Sequence, residues 1–166
     1  MALETVSHKV DPMQLAGRFS TFYVADLFFG VDVVHVQEVL RLQQMTPVPQ
    51  APGVIEGLIN LRGQIVTAID MRRRLGLPLR QGDETPMNIV VRTSDGAVSL
   101  LVDEIGEVLE MEAGDYELPP QNLNPAAREL IRGVYKLENE LLLILDIEKA
   151  VDVGSGSISS NENSEA

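Results

Sequence analysis

Apolar residues in this chain recur mainly at every second position, in short runs broken by Gly, Asp, Asn or Pro. That is the pattern of half-buried β-strands joined by tight turns. Four pairs of such runs stand out. Residues 19–24 and 28–33 flank Asp26, and Phe29, Val31 and Val33 share one face of the second run. Residues 57–61 and 64–69 flank Arg62-Gly63, where Gly63 can take the positive φ of a tight turn. Residues 89–92 and 97–102 flank Ser94-Asp95-Gly96, and residues 133–137 and 141–145 flank Glu138-Asn139. The pattern predicts four hairpins, with Gly57 and Gly63 as structural turn glycines.

The hairpins are not independent. Ile55-Glu56-Gly57 matches Ile131-Arg132-Gly133, Leu61 matches Leu137, Ile69-Asp70 matches Leu145-Asp146, and Leu75 matches Val151, all at one constant interval. Upstream, Val36-Gln37-Glu38-Val39-Leu40 resembles Ile105-Gly106-Glu107-Val108-Leu109. The order is hairpin, Glu-Val-Leu segment, Pro-containing linker, then a hairpin ending in Asp before a short helix. Its double occurrence marks a duplicated unit. About four or five short strands per unit suit a small barrel, which removes exposed sheet edges by closing. The expected organisation is a mainly β domain over 16–153, with two barrel subdomains of roughly 16–85 and 86–153. A flexible arm over 1–15 precedes it, and a disordered Gly/Ser/Asn/Glu-rich tail over 154–166 follows. Asp70 and Asp146 read as helix caps, because a carboxylate there can accept the first free backbone N–H groups.

Composition narrows the function. Hydrophobic residues make up 45 % of the chain and aromatics only 4 %, so the core is aliphatic. A formal charge of −12 repels phosphate backbones and argues against nucleic-acid binding. With no cysteine, disulfides and thiolate metal sites are excluded. Met1 to Gln14 holds one Lys and no apolar run, so neither a signal peptide nor membrane insertion is expected.

Catalytic chemistry is hard to assemble from what remains. The two histidines, His8 and His35, lack companions at metal-ligand spacing, and no nucleophile elbow or phosphate-binding glycine loop occurs. Asp103, Glu104 and Glu107 are close enough for two-carboxylate hydrolysis, but in so acidic a chain such a cluster reads as a solvated face. Arg72-Arg73-Arg74 reads as an exposed, salt-bridged helix face, and Pro49-Gln50-Ala51-Pro52 as an extended linker.

A binding surface is left. The two Glu-Val-Leu segments carry more apolar residues than one buried face uses. They can line a groove for an amphipathic helix or belong to a core shared by the barrels. Arg62, at a hairpin tip, presents a side chain in which protein interfaces are enriched.

Val36-Gln37-Glu38-Val39, the linker 47–52, the run from Gly57 through Asn60-Leu61-Arg62-Gly63, and Ile69-Asp70 together resemble the CheW family of chemotaxis coupling proteins. The likeness runs from about Phe19 to Val151. It implies two intertwined five-stranded SH3-like β-barrels with a few short helices, and no cofactor. It also implies a non-catalytic adaptor in bacterial chemotaxis signalling. Such an adaptor couples the cytoplasmic tip of methyl-accepting chemoreceptors to the regulatory domain of a chemotaxis histidine kinase, and so supports kinase activation. The expected location is the cytoplasm, with recruitment to membrane receptor arrays. Carried over residue by residue, the receptor-binding positions are Val36, Glu38, Val39, Arg62, Ile105 and Val108. Thr67 stands where the family often has Pro, and Ser99 where Gly is common; Ser99 is expected to narrow a site near the groove. A scaffold of another signalling or motility pathway, with different receptor and kinase partners, is the alternative.

Overall fold

The computed structural model describes residues 16–153 except 42 and 83. The arm over 1–15, including His8, and the tail over 154–166 lie outside the described residues. The first hairpin is β1 (Gly17–Val24) and β2 (Leu27–Asp32), followed by a 3-10 turn at Val33–His35 and β3 (Val36–Leu40). The second is β4 (Ile55–Leu61) and β5 (Gln64–Asp70), leading into α1 (Met71–Arg74). The third is β6 (Met87–Thr93) and β7 (Gly96–Val102); β8 (Glu104–Ile105), β9 (Leu109–Met111) and β10 (Tyr116–Glu117) come next. Helix α2 (Pro125–Leu130) precedes the fourth hairpin, β11 (Ile131–Lys136) and β12 (Leu141–Leu145), and α3 (Ile147–Val151) closes the described fold.

The strands form two sheets. One has five strands, in the order β3-β6-β7-β5-β4. The other has seven, in the order β10-β11-β12-β2-β1-β8, with β9 also on β1. The expected five become seven because the second Glu-Val-Leu segment divides between β8 and β9, and β10 adds to β11. The sheets trade hairpins across the middle of the chain. β2 runs parallel to β12, with Phe29 opposite Leu143, and β7 runs parallel to β5, with Leu100 opposite Ile69. Neither sheet is therefore made of residues 16–85 or 86–153 alone; the two halves are intertwined.

The exchange explains why these strands are apolar on both faces. In β1 and β2, Phe22, Val24, Phe29 and Val31 join a central core, while Phe19 and Phe28 turn to a smaller core within the seven-stranded sheet. β12 divides likewise, Leu143 and Leu145 going to the centre and Leu142 and Ile144 to the smaller core. The central core takes residues from both sheets and from all three helices of the described residues; a third core, around Ile59, Val66 and Leu101, belongs to the five-stranded sheet. Burying one such side chain contributes roughly 1.5–3 kcal/mol, so a hairpin with two buried faces is a strong tie between halves.

The duplication extends to local distortions. The β4–β5 ladder shifts register between Ile55 and Gly57, and the β11–β12 ladder shifts between Ile131 and Gly133. Gly57 is thus a bulge residue inside a strand and not a turn residue, which corrects the sequence reading. Its requirement is space: a Cβ would lie 2.8 Å from the Thr46 carbonyl oxygen, because Thr46 bridges to Leu58 through two backbone hydrogen bonds. Gly133 meets the same condition against Tyr116. Gly63 does form the turn, with φ +87°, and Arg62 beside it also has positive φ, 52°, the signature of a type I′ hairpin. Asp70 and Asp146 accept backbone N–H bonds from Arg72 (3.0 Å) and Lys149 (3.2 Å), capping α1 and α3.

Candidate functional site

The six carried-over positions occupy three settings. Val36 and Ile105 are partly buried and pack on the central core, Val36 opposite Val91 and Ile105 opposite Phe22. Of the two roles open to the Glu-Val-Leu segments, these side chains take the shared-core one. Val39 and Val108 are instead 40 % and 51 % exposed. One lies on β3 of the five-stranded sheet, the other between β8 and β9 of the seven-stranded sheet.

Glu38 and Arg62 make the third setting. A register shift in β3 around Gln37 sets Glu38 opposite Val90. The type I′ turn brings Arg62 to it, and the guanidinium donates to both carboxylate oxygens at 2.7 and 2.8 Å. The Arg62 side chain remains 76 % exposed, against 17 % for Glu38. Hydrogen bonding from Arg62 holds the Glu38 carboxyl below its ordinary pKa. Bidentate geometry gives such a pair a fixed shape, although its exposure keeps its worth to folding small. The sequence located Arg62 at the tip; its partner, 24 residues away, is supplied by the fold.

Repeat equivalence makes the absence of a second clasp informative. Glu107 is the counterpart of Glu38, but Glu138 stands where the counterpart of Arg62 would be. Two like charges cannot form the pair. Among the described residues the duplicated fold therefore carries an ion-paired Glu-Val step in one half only.

Asp103 belongs to the scaffold. Arg72 donates through Nε at 3.0 Å and pairs through Nη2 at 2.8 Å, Arg80 approaches at 2.9 Å, and the Ala25 N–H donates at 2.6 Å. Burial pushes the Asp103 carboxyl up, but the Arg72 hydrogen bond, the Ala25 N–H and Arg80 outweigh it, leaving the pKa below its ordinary value. This carboxylate fastens the first hairpin turn to the end of β7 and to α1. Glu104 and Glu107, its neighbours in the acidic run, are exposed.

The basic run is likewise structural. Arg73 donates to the Gly53 carbonyl, and Arg74 donates to the Lys149 and Ala150 carbonyls at the end of α3. Of the expected exposed, salt-bridged face, the salt bridges are present, Arg72 to Asp103 and Arg73 to Asp70, but each arginine also anchors a different segment. Pro49 and Gln50 form a tight turn, Gln50 at φ 66°, so the linker is not extended there. Ser99 is fully buried and donates to Asn88 at 2.8 Å; it does not face a groove. Thr67 sits in β5 between Leu58 and Val98.

Two clefts lie at repeat-related places, where β5 and β12 end. One is lined by Met45, Glu56, Asp70, Arg73 and Arg80; the other by Asp32, His35, Tyr116, Arg132, Asp146 and Glu148. None of the six carried-over positions lines either. Among the described residues no group of three or more His, Asp or Glu is placed to hold a metal, and no helix is long and apolar enough to cross a membrane.

A model of the CheW-like domain matches residues 18–154. The chain belongs to the CheW family. Chemotaxis protein CheW of Treponema pallidum is 30 % identical over 152 residues, covering 87 % of this chain and 89 % of that protein. Chemotaxis protein CheW of Klebsiella aerogenes is 31 % identical, covering 89 % and 88 %. The crystal structure of the scaffolding protein TtCheW from Thermoanaerobacter tengcongensis superposes with a TM-score of 0.75 at 27 % identity, covering 84 % of this chain and 94 % of that one. The intertwined sheets are thus the SH3-like CheW architecture, and the Glu38–Arg62 clasp sits on a CheW-family scaffold.

Proposed function

We propose that this chain is a non-catalytic adaptor of chemotaxis signalling. It joins the cytoplasmic tip of a methyl-accepting chemoreceptor to the regulatory domain of a histidine kinase, and so supports kinase activation in receptor arrays. In this reading the protein is cytoplasmic and is recruited to those arrays by its partners. The observation that carries the receptor leg is the bidentate Glu38–Arg62 clasp, with Val39, partly exposed, at the next position along β3. A fixed charged pair and an exposed apolar side chain on the same strand offer the two kinds of contact that the amphipathic helices of a receptor tip can use. Val108 offers a second apolar contact from the other sheet, while Val36 and Ile105 support both segments from the core side. The kinase leg falls to the strand ends, where the two repeat-related clefts lie.

The test is binding of the full chain to a receptor cytoplasmic fragment, with Arg62→Ala alongside. Arg62→Ala is expected to weaken receptor binding roughly tenfold or more and to leave thermal stability and kinase-domain binding unchanged. Equal receptor affinity in the variant overturns the assignment of this face. Absence of any receptor binding by the unaltered chain favours the scaffold of another pathway.

A further inference from the structure

Glu38 is held by Arg62, yet its repeat counterpart Glu107 has no arginine in the equivalent turn, and still the loop between β8 and β9 must present Val108 in a defined place. The structure supplies another device on β1. Thr21 is almost wholly buried, 1 % exposed, and its hydroxyl donates to the Glu107 carbonyl. Its own carbonyl accepts from the Gly106 N–H at 2.8 Å. Both bonds fall where the ladder between β1 and its partners is interrupted: Phe22 faces Ile105 and Phe19 faces Leu109, so three residues span the gap opposite Ser20 and Thr21. An arch of this kind is a bulge, which re-aims a side chain and needs a specific restraint to have one shape. The hydroxyl is that restraint. Gly106 is matched to it, since a Cβ there would collide with Thr21 Oγ1. Val90, the repeat counterpart of Thr21, faces the Glu38 step and has no hydroxyl to offer.

We propose that Thr21 is a positioning residue for receptor binding, fixing the Gly106–Val108 arch by pinning the Glu107 carbonyl inward so that Val108 is presented to the partner helix. The inference rests on the proposed receptor-binding role of Val108. The two halves thus hold their Glu-Val steps by opposite means: an exposed ion pair in one, a buried neutral hydrogen bond in the other. Salt screens the first and leaves the second untouched.

Thr21→Val keeps the shape and removes the donor, Thr21→Ser keeps the donor, and Gly106→Ala displaces the hydroxyl from the other side. Binding of each full-length variant to a receptor cytoplasmic fragment is measured at low and high salt, with kinase regulatory-domain binding as control. Thr21→Val and Gly106→Ala are expected to lose on the order of five-fold in receptor affinity, with little salt dependence of the loss and no effect on the kinase domain. Thr21→Ser is expected to restore affinity, and the loss in Arg62→Ala is expected to shrink at high salt. Wild-type affinity in Thr21→Val while Arg62→Ala is impaired overturns the role of Thr21 and leaves the adaptor reading standing. Amide hydrogen exchange gives a readout that needs no receptor: residues 106–109 are expected to exchange faster in Thr21→Val than in wild type or Thr21→Ser. Unchanged exchange there overturns the pin itself, whatever the partner.

Discussion

At the residue scale, the partly buried Asp103 decides more than its place in an acidic run implies. It is the only carboxylate among Asp103, Glu104 and Glu107 held by two arginines and a backbone amide. Asp103→Asn is expected to lower stability by about 1–3 kcal/mol, because it leaves Arg72 and Arg80 without their shared anion in a partly shielded site. Denaturant unfolding at neutral pH measures it. The pH dependence follows from the lowered folded pKa. Stability from this carboxylate is fully present above the ordinary aspartate value near 4 and is lost as pH falls through the folded value. Wild type is therefore expected to lose stability below about pH 4 more steeply than Asp103→Asn; parallel curves for the two proteins contradict the clasp. Ser99 teaches a related lesson. Its departure from glycine is absorbed by Asn88, which in turn donates to the Arg41 carbonyl, so its hydroxyl stays inside the sheet.

At the scale of elements, turns were legible and close approaches were not. Asp26, Arg62-Gly63 and Ser94-Asp95 mark hairpin tips because a tight turn demands local backbone chemistry that a few residues reveal. Asp70 and Asp146 were readable as caps for the same reason. Gly57 was not, since what requires glycine there is the Thr46 carbonyl of another segment. Gly57→Ala is expected to cost on the order of 1–3 kcal/mol by forcing that bridge apart, and Gly133→Ala a similar amount against Tyr116. Thermal unfolding of the two variants checks this; neutral behaviour at Gly57 contradicts the close approach. The candidate site shows the same division. Glu38 and Arg62 were visible as a motif, whereas the hydroxyl of Thr21, 86 residues from the carbonyl it holds, had no local signal at all.

The whole molecule is defined by the exchange of hairpins. Duplication could be read from matched residues, but the parallel pairing of β2 with β12 and of β5 with β7 depends on contacts remote in sequence. A chain of residues 16–85 holds β3, β4 and β5 without β6 and β7, and its own first hairpin lacks β11 and β12. That fragment is expected to be unfolded alone and to gain structure when mixed with residues 86–153; circular dichroism distinguishes this from an independently folded half. Glu38 and Arg62 line neither cleft at the strand ends, so the proposed coupling role assigns different residues to its two partners. The most direct measurement is titration of a receptor cytoplasmic fragment into the full chain, with and without a saturating kinase regulatory domain. The expected result is a ternary complex in which receptor affinity is retained in the presence of the kinase domain and reduced by Arg62→Ala in both conditions. Mutual exclusion of receptor and kinase domain, or failure of the chain to bind either, contradicts the coupling role.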